Sequence, residues 1–260
     1  MGKVYLVGAG PGAADLLTVR AARILEQADI VFHDALVHPE VLAIASRARI
    51  VPVGKRCSQI STDQRFINRY LVEAAARHDV VVRLKGGDPM VFGRAQEELD
   101  ALAAHGVDCE VVPGVTAALA AAAELKISLT QRGVSRTVVL ATPRVGTDEA
   151  PARWADSVAA ADTAVLYMGV GEADLLANAL REAGLPGRTP VAIVQNASSP
   201  ACTTLHTTLQ DLPQRAAELP PVGPTLLVLG EVLRPASRAE QSGEPSRSTA
   251  HPSVPHAKLA

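Results

Sequence analysis

The run Arg83-Leu84-Lys85-Gly86-Gly87-Asp88-Pro89 carries the densest chemistry in the chain. Two consecutive glycines let backbone N–H and C=O groups reach a ligand with no Cβ in the way. Asp88 adds an acceptor, and Pro89 fixes the exit from the turn. Tight turns at the carboxyl ends of parallel strands are where open α/β sheets bind ligands. An ordinary strand-to-helix connection has the same look, so the turn alone leaves both readings open.

A second glycine loop, Gly8-Ala9-Gly10-Pro11-Gly12-Ala13, has the spacing of a dinucleotide-binding turn, and Asp34 ends the next strand where a ribose-binding carboxylate belongs. Two details count against that reading. Pro11 lacks an N–H where a pyrophosphate wants a donor, and the next helix starts only at Thr18. The loop therefore suits close backbone approach to a ligand or a facing domain, or simply a tight turn. Pro113-Gly114-Val115-Thr116-Ala117-Ala118 sets small residues at a helix start, which admits either a ligand or a packed neighbour. Tyr167-Met168-Gly169 and Gln195-Asn196-Ala197-Ser198 follow strands and are weaker signals.

Gly54-Lys55-Arg56 is not a Walker loop, because Arg49 replaces the required glycine and Arg56 the hydroxyl residue. A solvated strand end is the ordinary reading of Lys55 and Arg56. The alternative gathers them with Arg83, Lys85 and Arg94 at the mouth of the sheet to meet an anionic substrate. There is no GxSxG, no HExxH and no evident metal cluster, so hydrolase and metalloenzyme chemistry have little support and no metal is expected.

These residues are positioned by alternating strands and helices, the signature of a parallel sheet covered on both faces. Strands are expected over Val4–Val7, Ile30–Phe32, Ile50–Val53, Val80–Leu84 and Glu110–Val112. Thr18 is the expected cap of a helix over Val19–Gln27, and Ser61 with Gln64 forms a capping box. After Pro89 a helical pattern with Val91, Phe92, Leu99 and Leu102 on one side is expected. The pattern loosens between Lys126 and Ser135, dividing the chain into domains over 1–130 and 131–234. A Ser-, Pro-, Arg- and His-rich stretch over 235–260 reads as a disordered tail. In the second half, Cys202 to Leu209 alternates as an antiparallel strand does.

The 260 residues are 48% hydrophobic and 20% charged, which fits a folded globular chain. A net charge of −2 points to neither nucleic acid nor a membrane surface. Three scattered cysteines without CxxC argue for reduced thiols, and Met1-Gly2-Lys3 runs straight into a strand without a secretory signal, so a cytoplasmic location is expected.

In chain order, VGAGPGAADLLT, FHDALV, VGKR, RLKGGDPMVFGRAQEE, VVPGVTAALA, ISLTQR, LYMGV, VAIVQNAS and PTLLVLGEV span residues 3 to about 233. This set resembles the uroporphyrinogen-III C-methyltransferases of the tetrapyrrole methylase family. The resemblance implies two α/β domains of the class III methyltransferase type, with S-adenosylmethionine in the cleft between them, and a homodimer. It implies cofactor contacts at Pro11, Gly86, Gly87, Asp88, Val91, Thr116, Ala117, Met168, Ala197 and Thr225. It makes Asp34 a proton acceptor and Lys55 a proton donor. The implied reaction is two successive methyl transfers to uroporphyrinogen III, giving precorrin-2 for sirohaem or cobalamin. The polycarboxylate substrate would give Arg83, Lys85, Arg94 and Arg132 partners. No second catalytic domain is visible, so methylation alone is expected.

Three stretches depart from the family: Thr142-Pro143-Arg144 where Thr-Gly-His is usual, Gln131 for a histidine, and Ala95-Gln96 for Gly-Gly. The first two fall in loops expected to face the tetrapyrrole. They leave open a methylase of the same fold acting on a later corrin intermediate, or a regulatory sensor of S-adenosylmethionine. The Gly8 loop with Asp34 leaves open an NAD-dependent oxidoreductase.

Overall fold

The computed structural model describes residues 1–54, 64–144, 153–220 and 223–234. Lys55, Ser61 of the expected capping box and the stretch 235–260 lie outside the described residues.

The first sheet holds β1 (Lys3–Gly8), β2 (Ile30–His33), β3 (Arg49–Pro52), β4 (Val80–Lys85) and β5 (Cys109–Val112). All pairings are parallel and the order is β3-β2-β4-β1-β5. Alternate side chains go to opposite faces, so each strand must be apolar on both. Val4, Leu6, Ile30, Phe32 and Val81 pack with Ile67 and Leu71 of α3 (Gln64–Ala75) and Ala95 and Leu102 of α4 (Ala95–Ala104). Val7, Val31, Val82, Leu84 and Val112 pack with Ala21 and Leu25 of α1 (Val19–Gln27) and Val41 of α2 (Pro39–Ile44). Thr18 caps α1 as expected, its side chain accepting from Ala21 N at 3.2 Å. β1 and β4 are neighbours, with Gly8 opposite Lys85. Their connections leave over opposite faces, which opens the carboxyl edge of the sheet between them.

α5 (Ala117–Leu125) follows β5 but packs on the second sheet, where Ala118, Ala120 and Ala121 meet Val165, Val194 and Val228. Three alanines on one side let the helix axis lie close to the strands. The second sheet comprises β6 (Val138–Ala141), β7 (Thr163–Tyr167), β8 (Pro190–Gln195), β9 (Thr203–Thr208) and β10 (Thr225–Gly230), in the order β6-β7-β10-β8-β9. β6 runs parallel to β7 and the remaining pairings are antiparallel, β9 included, as its alternation predicts. The far face is covered by α6 (Trp154–Ala159), α7 (Ala173–Glu182) and α8 (Leu212–Ala217) around Leu166, Leu176, Leu180, Ile193 and Leu227. Periodicity does not reveal α8, which is too short to form on propensity alone. It is held by Leu212, fully buried in that core. No helix among the described residues is long and apolar enough to cross a membrane.

Candidate active site

The two glycine loops meet. Ala9 N donates to Lys85 O at 2.7 Å, and Gly10 and Gly87 form an antiparallel bridge with bonds of 3.2 and 2.7 Å. The loop after β5 joins them so closely that a Cβ on Gly114 would lie 2.3 Å from Gly87 O and 2.8 Å from Gly8 Cα. A Cβ on Gly8 would lie 2.6 Å from Gly114 Cα. Gly87 itself sits at φ +67°, and an added Cβ there would meet the start of α5 at ordinary contact distance, 3.9 Å from Ala117 N and 4.0 Å from Thr116 Cα. Asp88 fastens the arrangement: Oδ1 accepts from Met90 N at 2.8 Å and Oδ2 from Gly114 N at 2.9 Å. Both of its oxygens thus bond backbone of this chain, and Asp88 ties the Gly87 turn to the loop after β5.

The stretch after Pro89 is not the expected helix. α4 begins only at Ala95, and Phe92 and Arg94 take left-handed conformations at φ 52° and 55°. Gly93 closes this turn over Pro89, whose carbonyl would stand 2.5 Å from a Cβ there. The turn carries Phe92 out to the second sheet, where its ring meets that of Tyr167 with centroids 4.9 Å apart. The Tyr167 hydroxyl accepts from Ala118 N at 3.1 Å and bonds Thr116 Oγ1 at 2.7 Å. Burial raises the Tyr167 pKa, so the phenol stays neutral. Tyr167 therefore joins β7, the first turn of α5 and the Pro89 loop. Tyr167→Phe keeps the ring contact but strands a buried amide, and lowers the free energy of unfolding in urea by about 1–3 kcal/mol.

On the opposite side, Ala13 N donates to Ser198 Oγ at 3.1 Å, which sets the Pro11 loop against the turn after β8. Ala197 in that turn is buried. Gln195 Nε2 bonds Pro220 O at 3.0 Å and Thr225 Oγ1 at 3.3 Å, which places Thr225 on the same rim. Among the described residues, five of the six non-glycine residues with positive φ (Phe92, Arg94, Met168, Asn196 and Ser198) stand in these loops, the sixth being Lys126. Each such conformation costs roughly 1–3 kcal/mol, and their concentration in one place marks a site held in a set shape. Pro11, Gly86, Gly87, Asp88, Val91, Met168 and Ala197 stand in loops that follow strands, Thr116 and Ala117 at the start of α5, and Thr225 at the start of β10. Along the outer side of α5 runs a cavity of about 670 Å³ that reaches Thr116, Leu119, Leu129 and Leu140.

Arg83 and Lys85 do not form a basic mouth. On β4 they follow Val81 on the side covered by α3 and α4, and each is only 2% exposed. Glu98 of α4, fully buried, receives both: Oε1 accepts from Arg83 Nε at 2.9 Å and Oε2 from Lys85 Nζ at 2.8 Å. Gln64 Nε2 adds a third bond to Oε1 at 3.2 Å. Arg83 Nη2 then reaches Asp34 Oδ1 at 2.5 Å. Burial disfavours the charge on Arg83, but Asp34 and Glu98 outweigh it and raise its pKa. For Lys85, burial and the neighbouring Arg83 prevail and lower it. Asp34 is the member that meets solvent, with its side chain 30% exposed against 3% for Arg83. Arg94 is exposed and bonded to Glu97 at 2.7 and 2.8 Å, and Arg132 is exposed. Burial pushes the Cys109 thiol up to about 11, which leaves no thiolate there near neutral pH.

Sequence reasoning missed Tyr167 and Ser198 as residues that hold the loops together, and Glu98 as the anchor of Arg83 and Lys85. Glu98 had a readable signal: it lies three residues after Ala95 and four before Leu102, on the buried side of α4.

Two sheets joined by α5, with glycine turns at adjacent carboxyl ends of the first, define a two-sheet α/β protein. A profile for tetrapyrrole (corrin/porphyrin) methylases matches residues 3–213, and the chain belongs to that family. It is 44% identical over 233 residues to the uroporphyrinogen-III C-methyltransferase of Pseudomonas aeruginosa, covering 90% of this chain and 95% of that one. The crystal structure of the Thermus thermophilus uroporphyrin-III C-methyltransferase complexed with S-adenosyl homocysteine aligns with TM-score 0.79 and 41% identity, covering 89% of this chain and 99% of that one. The siroheme synthase of Azotobacter vinelandii is 44% identical over 235 residues, 90% of this chain, of which the chain spans only 51%. The chain thus spans about half the length of the siroheme synthases it matches.

Proposed function

We propose that this chain is an S-adenosylmethionine-dependent uroporphyrinogen-III C-methyltransferase that performs two successive methyl transfers to give precorrin-2. The observation that carries the reading is the Gly10–Gly87 bridge, which sets a bare backbone turn facing Thr116 and Ala117 at the start of α5. A backbone wall without side chains suits a flat, polar nucleoside, and the Met168 and Ala197 turns stand on the facing rim.

Bound S-adenosylmethionine supplies a methyl group already activated on sulfonium. The chain's residues then align the acceptor carbon with that methyl and keep water out. Pro11, Gly86, Gly87, Val91, Thr116, Ala117, Met168, Ala197 and Thr225 flank the cofactor, and Asp88 holds two of their loops together. Asp34 takes the proton released after C-methylation. Lys55, the proton donor by resemblance, lies outside the described residues. The domains run over 1–130 and 131–234. The exposed Leu119 and Leu140, which line the cavity on α5, support a homodimer.

One observation favours a second reading, a methylase acting on a later corrin intermediate. Pro143 of the divergent loop packs on Gly169, where a Cβ would lie 3.0 Å from the proline ring, so the departure lies beside Met168. Anaerobic incubation with methyl-labelled donor and uroporphyrinogen III separates the two. A product carrying two added methyl groups, each gained in exchange for one proton, is expected. Donor binding without methylation of uroporphyrinogen III selects the second reading.

A further inference from the structure

Glu98 lies in the interior, fully buried, and three polar side chains converge on its carboxylate. We propose that Glu98 is a positioning residue for methyl transfer: by anchoring Arg83 it fixes the place of Asp34 at the edge of the site. The inference rests on the reading of Asp34 as proton acceptor.

The argument is geometric. A guanidinium is planar, so fixing one N–H fixes the direction of the others. Glu98 Oε1 holds Arg83 Nε, and Leu84 O accepts from Nη1 at 3.2 Å. Nη2 is thereby aimed at Asp34 Oδ1. Asp34 directly follows β2 while Glu98 rides on α4, so no local backbone contact sets their relation. The link between them is Arg83.

The electrostatics agree. Arg83 and Lys85 are two cations on one strand face, each about 3% exposed at the side chain, and Glu98 with Asp34 balances them. Removing the Glu98 charge leaves two interior cations for one carboxylate, and uncompensated charge of that kind is strongly unfavourable. Asp34 is the remaining anion of the cluster and has room to move, so it is drawn inward from the cleft. Lys85, whose pKa burial already lowers, can also shed its proton, which relieves the charge but not the lost anchor on Arg83.

The test uses the full chain with Glu98→Gln, which preserves size. Turnover is expected to fall about 10²-fold, the scale set by roughly 1 Å of misplacement. KM for donor and acceptor stays within about twofold, because no binding group has changed. In an Asp34→Asn background, Glu98→Gln costs nothing further, since Glu98 acts through Asp34. A purely structural role gives additive losses and a weaker donor affinity instead. Should Glu98→Gln fold poorly, Glu98→Gln/Lys85→Met removes the stranded cation. It is expected to regain the wild-type melting temperature but not the turnover.

A crystal structure of the variant provides a readout independent of catalysis, with the Asp34 carboxylate and Arg83 expected to shift inward together by about 1 Å from their wild-type places. Wild-type turnover in Glu98→Gln, additivity with Asp34→Asn, or an Asp34–Arg83 pair unmoved in the crystal overturns the proposal. An inactive wild type refutes the assigned reaction instead, and the crystallographic comparison still decides whether Glu98 positions Asp34.

Discussion

Asp34→Asn is expected to lower the turnover number by about 10²–10⁴-fold, the range a positioned general base contributes. Binding of S-adenosylhomocysteine stays within about twofold. Asparagine keeps the size of the side chain and an oxygen for Arg83 Nη2, but it cannot take a proton. The residue lies at the end of β2, clear of the Gly10–Gly87 bridge, so the cofactor wall is not disturbed. Stability also falls, because Arg83 and Lys85 are left with Glu98 alone. The loss is smaller than the roughly 3–5 kcal/mol of a fully buried broken pair, since Asp34 is 30% exposed and already partly solvated. Single-turnover methyl transfer together with calorimetric titration of S-adenosylhomocysteine checks both halves. Wild-type turnover in this variant would remove Asp34 from the chemistry.

The sheet that holds Asp34 was largely legible in the chain. Parallel strands buried on both faces read as valine and isoleucine runs, and the glycine turns that end them are punctuation with a backbone cause. The expected helix Val19–Gln27 and its Thr18 cap agree with the structure because cap and amphipathic face point the same way. What the chain did not disclose is which turns touch. Gly8, Gly87 and Gly114 interlock only because β1 lies between β4 and β5, and strand order is not written in local sequence.

The burial of Arg83 and Lys85 was hidden for a related reason. Two cations near a glycine turn look like a greeting for an anion unless one knows that α4 covers their side of β4. Period-two alternation assigns Val81, Arg83 and Lys85 to one face, and helical spacing assigns Glu98 to the buried side of α4. Each half of the ion cluster was visible alone. The helix–sheet packing that joins them was not. Phe92 misled in the opposite direction: its apolar side chain fits a helix face, whereas Gly93 and two left-handed residues turn it outward to Tyr167. Strain of that sort appears where a loop is built for a ligand rather than for its own stability.

The interlocked glycines lead to the other large effect. Gly114→Ala is expected to weaken S-adenosylhomocysteine binding about 10²-fold and to suppress turnover with it. The added methyl would stand 2.3 Å from Gly87 O, 2.8 Å from Gly8 Cα and 3.0 Å from Gly8 C. All three are backbone atoms, so no rotamer change relieves the clash. The β5 loop must move away from the Gly87 turn by about 1 Å to restore contact distance, and the Gly114 N to Asp88 Oδ2 bond goes with it. Overpacking of this kind costs about 1–3 kcal/mol of stability. That alone would not account for lost binding in a protein that still folds. Gly106→Ala separates the two effects. Gly106 has φ +67° with nothing within 4 Å of an added Cβ and lies in the turn before β5, away from the rim. Alanine there costs about 1 kcal/mol of backbone strain and leaves cofactor affinity unchanged. If both variants bind S-adenosylhomocysteine like the wild type, the three-glycine contact is mere packing and the cofactor lies elsewhere.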